Sequence, residues 1–386
     1  MGYRIHRVVF VVGELLHIRD AIFGDISING VEKELIESAE FQRLRYVRQT
    51  GFAYLVYMGA NHTRFEHSIG TMKITKELSN SLCPAMSDHL AIAGLLHDLG
   101  HAPFSHTLDD IYIKYLKKTH EDVGRELILK SRIRDILEAN GVRVGKVLSG
   151  FDGKGIGKIV TGAIGSDRID YLSRDSHYTG VDYGVIDYER IRGKLALYKG
   201  MPAIYAQGVP AAESMLIARY SMWQSVYLHH AVVIAGAMLK KALGAAIECG
   251  EFDPHILPRL DDYGLMRDLV ETNSGSHLAN MINERRLYKR VYYVDGQESH
   301  LKISEIGDCL SGAGIGDMDY VVDAPRFRAD REDILVLDRQ GNPIGKLSNV
   351  SPLIKTLNNV LKNKRVLIAA VKKELVPKAR AALRKL

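Results

Sequence analysis

The sequence has little cysteine, and the cysteines it has lie far apart. Cys83, Cys249 and Cys309 form no CxxC pair. Their separation argues against a disulfide framework and against a zinc site built from thiolates. A chain of this kind fits a reducing compartment, so we expect a cytoplasmic location.

Long uncharged apolar runs are missing as well. No such run approaches the roughly 18 residues needed to cross a bilayer, so we expect no membrane-spanning segment and no membrane partner. The N-terminal segment RVVFVVGELL, residues 7–16, has only a short apolar run and no small-residue cleavage site. It therefore predicts a strand rather than a signal peptide.

Neither sign of charge dominates, since 52 Lys and Arg stand against 46 Asp and Glu, a net charge of +6 at pH 7. This mildly basic balance favours anionic ligands but is too diffuse to indicate nucleic acid. The basic residues after position 360 are typical of a solvated surface, and a phosphate-binding or subunit-contact surface is the alternative.

Helical periodicity is the main pattern of the first three quarters of the chain. Residues 7–30 combine β-branched runs with the turn signals Gly24 and Asn29-Gly30, which predicts a short β-hairpin. Residues 31–51 then carry an apolar stripe at helical spacing that stops at Gly51. Further helices are predicted over 67–82, 87–99, 120–130, 157–175 and 211–248.

The pattern changes near residue 285. Strand and turn signals fill 285–296, 318–327, 333–348 and 365–371, a capped helix is predicted over 351–363, and the glycine-rich residues 307–317 indicate a loop without a P-loop pattern. We therefore predict a mostly α protein, with a helical domain over residues 1–285 and a smaller α+β accessory region over 286–386.

The segment LLHDLGHAPFSHTLDD, residues 95–110, contains three histidines and three aspartates among apolar residues. Buried ionisable groups are costly unless something compensates them. His97 and Asp98 fall at the end of a predicted helix that Gly100 terminates, where imidazole and carboxylate suit a divalent cation. For an isolated pair, the simpler interpretation is two polar side chains bonded to backbone at a helix end.

The pair is not isolated, because GANHTRFEHSIGT precedes it and GSDRIDYLSRDSHYTG follows it. A metal site built from separate helices needs ligands that are scattered in sequence and converge in space. Two imidazoles and two carboxylates meet that need: His67, His97, Asp98 and Asp167.

These motifs, in the order H…HD…D with HAPFSH after the doublet, resemble those of the HD-domain metal-dependent phosphohydrolases, and within them the deoxynucleoside triphosphate triphosphohydrolase (dNTPase) branch. The resemblance covers most of residues 20–235 and implies a helical HD-domain core. It implies that His67, His97, Asp98 and Asp167 bind Fe, Mn, Ni, Co or Zn, and Mg is compatible with the triphosphate. Of the three aspartates in SDRIDYLSRD, the family pattern selects Asp167, and Asp170 is predicted to be structural because it points to another helix face.

The same resemblance assigns the remaining polar residues. Residues that orient and protonate the leaving oxygen are His101, His106, Asp109 and His120. Residues on the triphosphate are Arg64, Arg168 and Arg219, and residues near the sugar are Gln49, Tyr171, Asp175 and Tyr227. Thr50 stands where we expect an apolar residue, which puts strict discrimination against ribose in doubt.

The resemblance implies hydrolysis at the α-phosphorus to a deoxynucleoside and triphosphate, with His106 or His120 protonating the departing 5′-oxygen. One alternative keeps the metal site for another nucleotide or an oligonucleotide phosphoester. A second alternative is a nucleotide sensor or nucleic-acid-binding protein with a vestigial site, against which the four intact ligand positions argue. The expected partners are a dNTP and further copies of the chain, as a dimer or larger homo-oligomer.

Overall fold

The computed structural model describes residues 16–296, 302–325, 333–384 and 386. Within them the protein is mostly helical, as predicted, with three small sheets. The strand predicted over residues 7–16 lies outside the described residues except for Leu16. The first hairpin pairs β1 (Leu16–Asp20) with β2 (Gly24–Ile28), and its turn lies at residues 21–23. Asn29 is not part of the turn, because its side chain caps the first helix.

The first half of the described chain consists of short and medium helices around α3 and α4, which pack against each other. These helices are α1 (Gly30–Glu37), α2 (Ala39–Gln42), α3 (Arg64–Leu82), α4 (Ser87–Leu96), α5 (Asp109–Ile111), α6 (His120–Lys130), α7 (Arg132–Ala139), α8 (Val144–Phe151), α9 (Lys158–Thr161) and α10 (Ser166–Thr179). A core of Leu, Ile and Phe side chains joins α3 and α4 to α1, α7 and α8.

Two of the predicted helices in this half of the chain are interrupted. The one over 31–51 breaks at Ser38, whose backbone is extended and whose hydroxyl donates to Leu35 O at 2.6 Å and caps the next helix. The one over 157–175 breaks between α9 and α10, where Gly165 is the extended N-cap residue of α10. The apolar residues on both sides of each break are buried. The periodicity therefore predicted correctly which residues are buried, but not where the helix is interrupted.

The second half begins with α11 (Tyr188–Arg192), β3 (Leu195–Tyr198), β4 (Met201–Tyr205), α12 (Val209–Met222), α13 (His230–Glu248), α14 (Asp262–Val270) and α15 (Ser276–Asn283). The single helix predicted over 211–248 is two helices joined by a π-helical turn, Trp223–Tyr227, and broken at His229. Helix α13 is long and apolar enough to span a membrane, but it is a core helix here, with 56% of its apolar window buried inside the protein.

The last quarter contains β5 (Lys289–Gly296), α16 (Ile303–Gly312), β6 (Tyr320–Asp323), β7 (Leu335–Leu337), β8 (Pro343–Lys346), α17 (Leu347–Val350), α18 (Pro352–Asn363), β9 (Arg365–Val371) and α19 (Val376–Leu383). The loop predicted over 307–317 is wrong up to Gly312, because these residues belong to α16. This helix buries Ile306 and Leu310 against the sheet. Strand order is β5-β9-β6 in one sheet and β3-β4-β7-β8 in the other.

The second of these sheets includes strands from both sides of residue 285, because β4 pairs in parallel with β7. The division into 1–285 and 286–386 stays a prediction. Helix α13 packs on one side against residues near the HD segment, including Phe52 and Phe104, and on the other against β6 and β9. This places the second half of the chain directly behind the residues that form the site.

Candidate metal centre and active site

The four predicted metal ligands converge in the structure. His67 lies one turn into α3, which starts at a capping box between Thr63 and Glu66. His97 and Asp98 follow the last turn of α4, and Asp167 lies in the first turn of α10. His67 Nε2 is 3.2 Å from His97 Nε2 and 3.2 Å from Asp167 Oδ1. Three helices that are distant in sequence therefore deliver ligands to one point.

The ligand atoms of His67, His97 and Asp98 lie close enough together to hold a single divalent ion, and Asp167 Oδ1 approaches both imidazoles. His97 Nε2 lies 3.2 Å from Asp98 Oδ1 and 3.5 Å from Asp167 Oδ1, and His67 Nε2 lies 3.5 Å from Asp98 Oδ2. Ligands at about 2.1 Å from a common ion are about 3.0–3.4 Å apart in octahedral to tetrahedral geometry. Two imidazoles and two carboxylates are a donor set for such an ion, so the residues present fit a metal.

Both imidazoles are oriented by a bond from the opposite ring nitrogen. His97 Nδ1 donates to Gly94 O at 2.7 Å, and His67 Nδ1 donates to Asp170 Oδ2 at 2.7 Å. Each Nε2 is thereby directed into the site, which is the usual arrangement of metal-binding histidines. Asp170 lies on another helix face than Asp167, as predicted, and that face meets α3, so Asp170 reaches His67 Nδ1 while Asp167 reaches Nε2.

Asp170 is itself held by a buried arginine. Arg174 donates from Nε and Nη2 to the two oxygens of Asp170 at 2.9 and 2.8 Å, and from Nη1 to Asp20 Oδ2 at 2.8 Å. Gly70 on α3 permits this approach, because a Cβ there would lie 1.8 Å from Asp170 Oδ1. The sequence analysis missed this series of hydrogen bonds from His67 through Asp170 to Arg174, although a spacing of four residues on a helix indicates a side-chain pair.

Charges in the centre follow from these contacts. Burial alone would lower the pKa of His67, but hydrogen bonds to Asp167 and Asp170 outweigh it and raise the pKa to about 10. Burial would raise the pKa of Asp98, whereas Arg64 and the neighbouring histidines hold it well below its usual range. In the same way His67 and His97 lower the pKa of Asp167. Both carboxylates are ionised and ready to bind a cation.

The four predicted proton-handling residues also lie together. Asp109 bridges two histidines, with Oδ2 at 3.1 Å from His106 Nδ1 and Oδ1 at 3.2 Å from His120 Nδ1. The His101 ring stacks on that of His120 with centroids 3.9 Å apart. His101 Nε2 lies 3.2 Å from Asp98 Oδ1, which links this group to the metal ligands.

One of the predicted arginines contacts a metal ligand, and a second follows one in sequence. The Arg64 guanidinium is buried, donates to Asp98 from Nη1, and donates from Nε to Ser105 Oγ at 2.7 Å. Arg168 is buried beside Asp167 in sequence and in the first turn of α10. Arg64 therefore holds fixed positive charge on the metal ligand Asp98.

The predicted sugar-side residues form two bonded pairs. Arg219 Nε donates to Tyr171 OH at 3.1 Å, and Tyr227 OH donates to Asp175 Oδ2 at 2.5 Å. Burial and Asp175 raise the pKa of Tyr227 well above its usual value, so it stays a donor. Asp167, Tyr171 and Asp175 lie at spacings of four along α10, as the helical pattern predicts.

Asp175 has a further partner that was not predicted. His62 Nε2 lies 2.7 Å from Asp175 Oδ1, and the His62 ring stacks on Tyr178 at 4.8 Å. Gln49 is held next to His62, because its backbone N–H donates to His62 O at 3.1 Å. Among the described residues, Gln49 Oε1 and Thr50 Oγ1 are buried atoms without a hydrogen-bond partner. These groups bring polar atoms to the side of the site next to Asp175.

Comparison with known proteins identifies the family and related folds. The HD domain matches residues 64–175, and the HD associated region matches residues 186–386. A hypothetical protein from Aquifex aeolicus has a similar crystal structure, with 31% identity and a TM-score of 0.80 over 96% of this chain and 100% of that chain. A phosphohydrolase from Bacteroides thetaiotaomicron shares the fold, with a TM-score of 0.75 over 93% and 100% of the two chains, at 23% identity.

Two further relatives are similar to this chain in sequence. An uncharacterized protein of Methanocaldococcus jannaschii is 38% identical over 71% of this chain, and the chain spans 59% of that relative. The deoxynucleoside triphosphate triphosphohydrolase SAMHD1 of Gallus gallus is 31% identical over 45% of this chain, and the match spans 35% of SAMHD1.

Proposed function

Because this chain belongs to the HD-domain family of phosphohydrolases, we propose that it hydrolyses deoxynucleoside triphosphates at the α-phosphorus to a deoxynucleoside and triphosphate. The observation that carries the proposal is the set of His–His and His–carboxylate distances of 3.2–3.5 Å among His67, His97, Asp98 and Asp167, beside the buried Arg64. The partial similarity to SAMHD1 supports the choice of substrate. The Tyr171–Arg219 and Tyr227–Asp175 pairs add polar groups suited to a phosphate and a sugar.

The metal in this proposal is a divalent cation of Fe, Mn, Ni, Co or Zn held by His67, His97, Asp98 and Asp167. When bound, it supplies a Lewis acid to the phosphoryl group and to an attacking water. The protein contributes orientation of both imidazoles through Gly94 and Asp170. These bonds expose only the Nε2 atoms to the ion and keep the ligands in place before substrate arrives.

Proton transfer in the proposal belongs to His106 or His120. Attack of water on the α-phosphorus breaks the bond to the 5′-oxygen, and that oxygen takes up one proton. Burial, together with the positive charge of Arg64, lowers the pKa of His101 well below its usual value. His101 is therefore neutral at pH 7 and a poor acid, whereas Asp109 orients the two remaining imidazoles.

Arg64, Arg168 and Arg219 would bind the triphosphate. Arg64 is fixed by Asp98 and Ser105, so its charge is already in position and needs little reorganisation during reaction. Arg219 lies at the end of α12, where its bond to Tyr171 directs it toward α10. A polyphosphate would then be held from two sides by charges that belong to different helices.

The wider proposal concerns partners and location. We propose a homo-oligomer in the cytoplasm, with no membrane partner. Cys83, Cys249 and Cys309 are free thiols in the structure, which supports a reducing compartment. Size-exclusion chromatography with light scattering tests the assembly.

The test is a product-resolved assay of all dNTPs and NTPs with Mn²⁺, Mg²⁺, Fe²⁺ and Co²⁺, read by mass spectrometry. Triphosphate plus deoxynucleoside is expected. Release of pyrophosphate or phosphate would place the attack at another phosphorus and refute the α-phosphorus reaction. Hydrolysis of another phosphoester, without hydrolysis of dNTPs, would show that the substrate belongs to a different class. The double variant His97→Ala/Asp98→Ala should lose both metal and hydrolysis.

Arg219→Ala separates substrate binding from metal binding. It should retain the metal and lose about 10- to 150-fold in kcat/KM, as expected for a charge-assisted hydrogen bond worth about 1.5–3 kcal/mol. The matched control is Arg134→Ala, which removes an exposed arginine paired with Glu138 on α7. Equal turnover by the two variants would exclude Arg219 from the site.

A further inference from the structure

A strained turn lies between the metal ligands and His106. Phe104 and Ser105 both have left-handed backbone conformations, with φ of 55° and 58°. Two consecutive residues with side chains are rarely found there, because Cβ crowds the following carbonyl. Ser105 uses this conformation to make two bonds: its Oγ donates to Arg48 O at 2.5 Å and accepts from Arg64 Nε at 2.7 Å. Arg64 in turn donates to the metal ligand Asp98.

One buried carboxylate from the second half of the chain holds this turn. Asp262, the first residue of α14, is 1% exposed. Its Oδ1 accepts from the backbone N–H of Phe104 at 2.6 Å. Its Oδ2 accepts from the backbone N–H of Arg48 at 3.1 Å and from Arg48 Nη1 at 3.3 Å. The same carboxylate therefore bonds the strained turn and the segment whose carbonyl accepts from Ser105.

A second link runs in parallel. Arg43 donates from Nη1 to Leu260 O at 2.9 Å and from Nη2 to Leu99 O and His101 O at 2.8 and 3.0 Å. It therefore joins the residues just before α14 to the loop that follows the HD doublet. Hydrogen bonds at two places, through Asp262 and through Arg43, therefore connect the start of α14 to the loop that follows the HD doublet.

Asp262 is an unfavourable group to bury for packing alone. Burial raises its pKa to about 6, against the opposing effect of hydrogen bonds from Phe104 and Arg48. An apolar side chain would fill the same space without this cost. What an apolar side chain lacks is an acceptor for the backbone N–H groups of Phe104 and Arg48. The hydrogen bond to the Phe104–Ser105 turn therefore explains why a carboxylate is buried at this position.

We propose that Asp262 is a positioning residue of the active site: it holds the Phe104–Ser105 turn so that Ser105 fixes the Arg64 guanidinium on Asp98. The role in turnover rests on the proposed function, whereas the role in the metal centre does not. Residues 64–175, which match the HD domain, thus depend on a side chain from the HD associated region for the geometry of one ligand.

The test compares Mn²⁺ affinity, measured without nucleotide in the full-length chain, for Asp262→Ala, Asp262→Asn and Asp261→Ala. Loss of the groups that orient a metal ligand costs about 10- to 100-fold in affinity or activity, and Asp262→Ala acts through Ser105 and Arg64, so we expect about tenfold weaker binding. Asp262→Asn keeps an oxygen for Phe104 N–H but turns its NH₂ group toward the Arg48 donors, so its loss of affinity should be smaller than that of Asp262→Ala. Asp261→Ala is the matched control, because Asp261 caps the same helix through Gly264 but does not touch the turn.

A purely structural role for Asp262 would lower the melting temperature of both alanine variants without separating their Mn²⁺ affinities. Equal affinities for Asp262→Ala and Asp261→Ala would overturn the proposal. Ser105→Gly supplies a second variant that should fold readily, since glycine accepts the left-handed conformation. It removes the hydroxyl and should weaken Mn²⁺ binding by the same factor as Asp262→Ala.

In the double variant Asp262→Ala/Ser105→Gly the losses should not add, because both act through Arg64. Additive losses would show that Asp262 acts by another route and would overturn the proposal. A nucleotide assay run in parallel keeps the two claims separate: absence of dNTP hydrolysis in the parent chain refutes the proposed function, and only the metal affinities decide the role of Asp262.

Discussion

The bond between Asp170 and His67 offers a direct test of the metal centre. Asp170→Asn keeps the size of the side chain but replaces one carboxylate oxygen by an NH₂ group. In the structure both oxygens accept hydrogen bonds, from His67 Nδ1 and from Arg174 Nε and Nη2. The asparagine can accept with only one atom, and its NH₂ group would face a donor. Either His67 or Arg174 loses its partner.

The expected loss of metal affinity follows from the role of this contact. Removing the acceptor that orients a metal-binding histidine typically costs 10- to 100-fold in metal affinity, which is about 1.4–2.7 kcal/mol. Stability should fall as well, because Asp170 and Arg174 are both fully buried and a broken buried ion pair costs about 3–5 kcal/mol. Asparagine retains part of the bonding, so the variant should remain folded.

The assay is titration of metal-free protein with Mn²⁺, followed by calorimetry or electron paramagnetic resonance, together with thermal unfolding. Asp25→Asn is the control, since Asp25 is an exposed carboxylate of β2 paired with Arg19 at 3.1 Å. A folded Asp170→Asn protein that binds Mn²⁺ within threefold of the parent would refute the idea that Asp170 supports the metal ligand.

The remaining predictions concern protons and space around the same contact. Because His67 has a pKa of about 10 without metal, a cation must displace its proton, so apparent Mn²⁺ affinity should rise about tenfold per unit between pH 7 and 9. The raised pKa stabilises the metal-free protein fully below about pH 6.5 and progressively less as the pH rises toward 10, so its melting temperature should fall over that range; a rise would contradict the assignment. Gly70→Ala places a Cβ 1.8 Å from Asp170 Oδ1, so it should lower the free energy of unfolding by about 1–3 kcal/mol, and with it the melting temperature. It should also weaken Mn²⁺ binding. Gly244→Ala on α13, where nothing lies within 4 Å, should instead stabilise by up to about 1 kcal/mol, and equal effects of the two substitutions would exclude a role for the close approach.

Much of the fold was predictable because apolar periodicity reports burial. The stripe over 31–51 is buried, the helix over 120–130 has the predicted bounds, and the N-terminal hairpin is present. Continuity was less predictable, because a break depends on one residue. Ser38 and Gly165 each end a periodic stretch by local backbone conformation, which periodicity does not register.

The site shows the same division between local and distant information. His67, His97, Asp98 and Asp167 were found from residue type and motif order, and the structure brings them together. The role of Asp170 was missed because helical spacing tells which face a residue occupies but not which helix that face meets. Asp262 could not be found at all, since its partners lie 158 and 214 residues away.

The π-helical turn between α12 and α13 has a practical consequence. It carries Trp223, the single tryptophan of the chain, with its ring 5.7 Å from that of Tyr227. Tyr227 is bonded to Asp175, so a ligand that contacts either side chain would change the surroundings of the indole. Intrinsic fluorescence of the unlabelled protein should therefore report binding of such a ligand, with no background from other indoles.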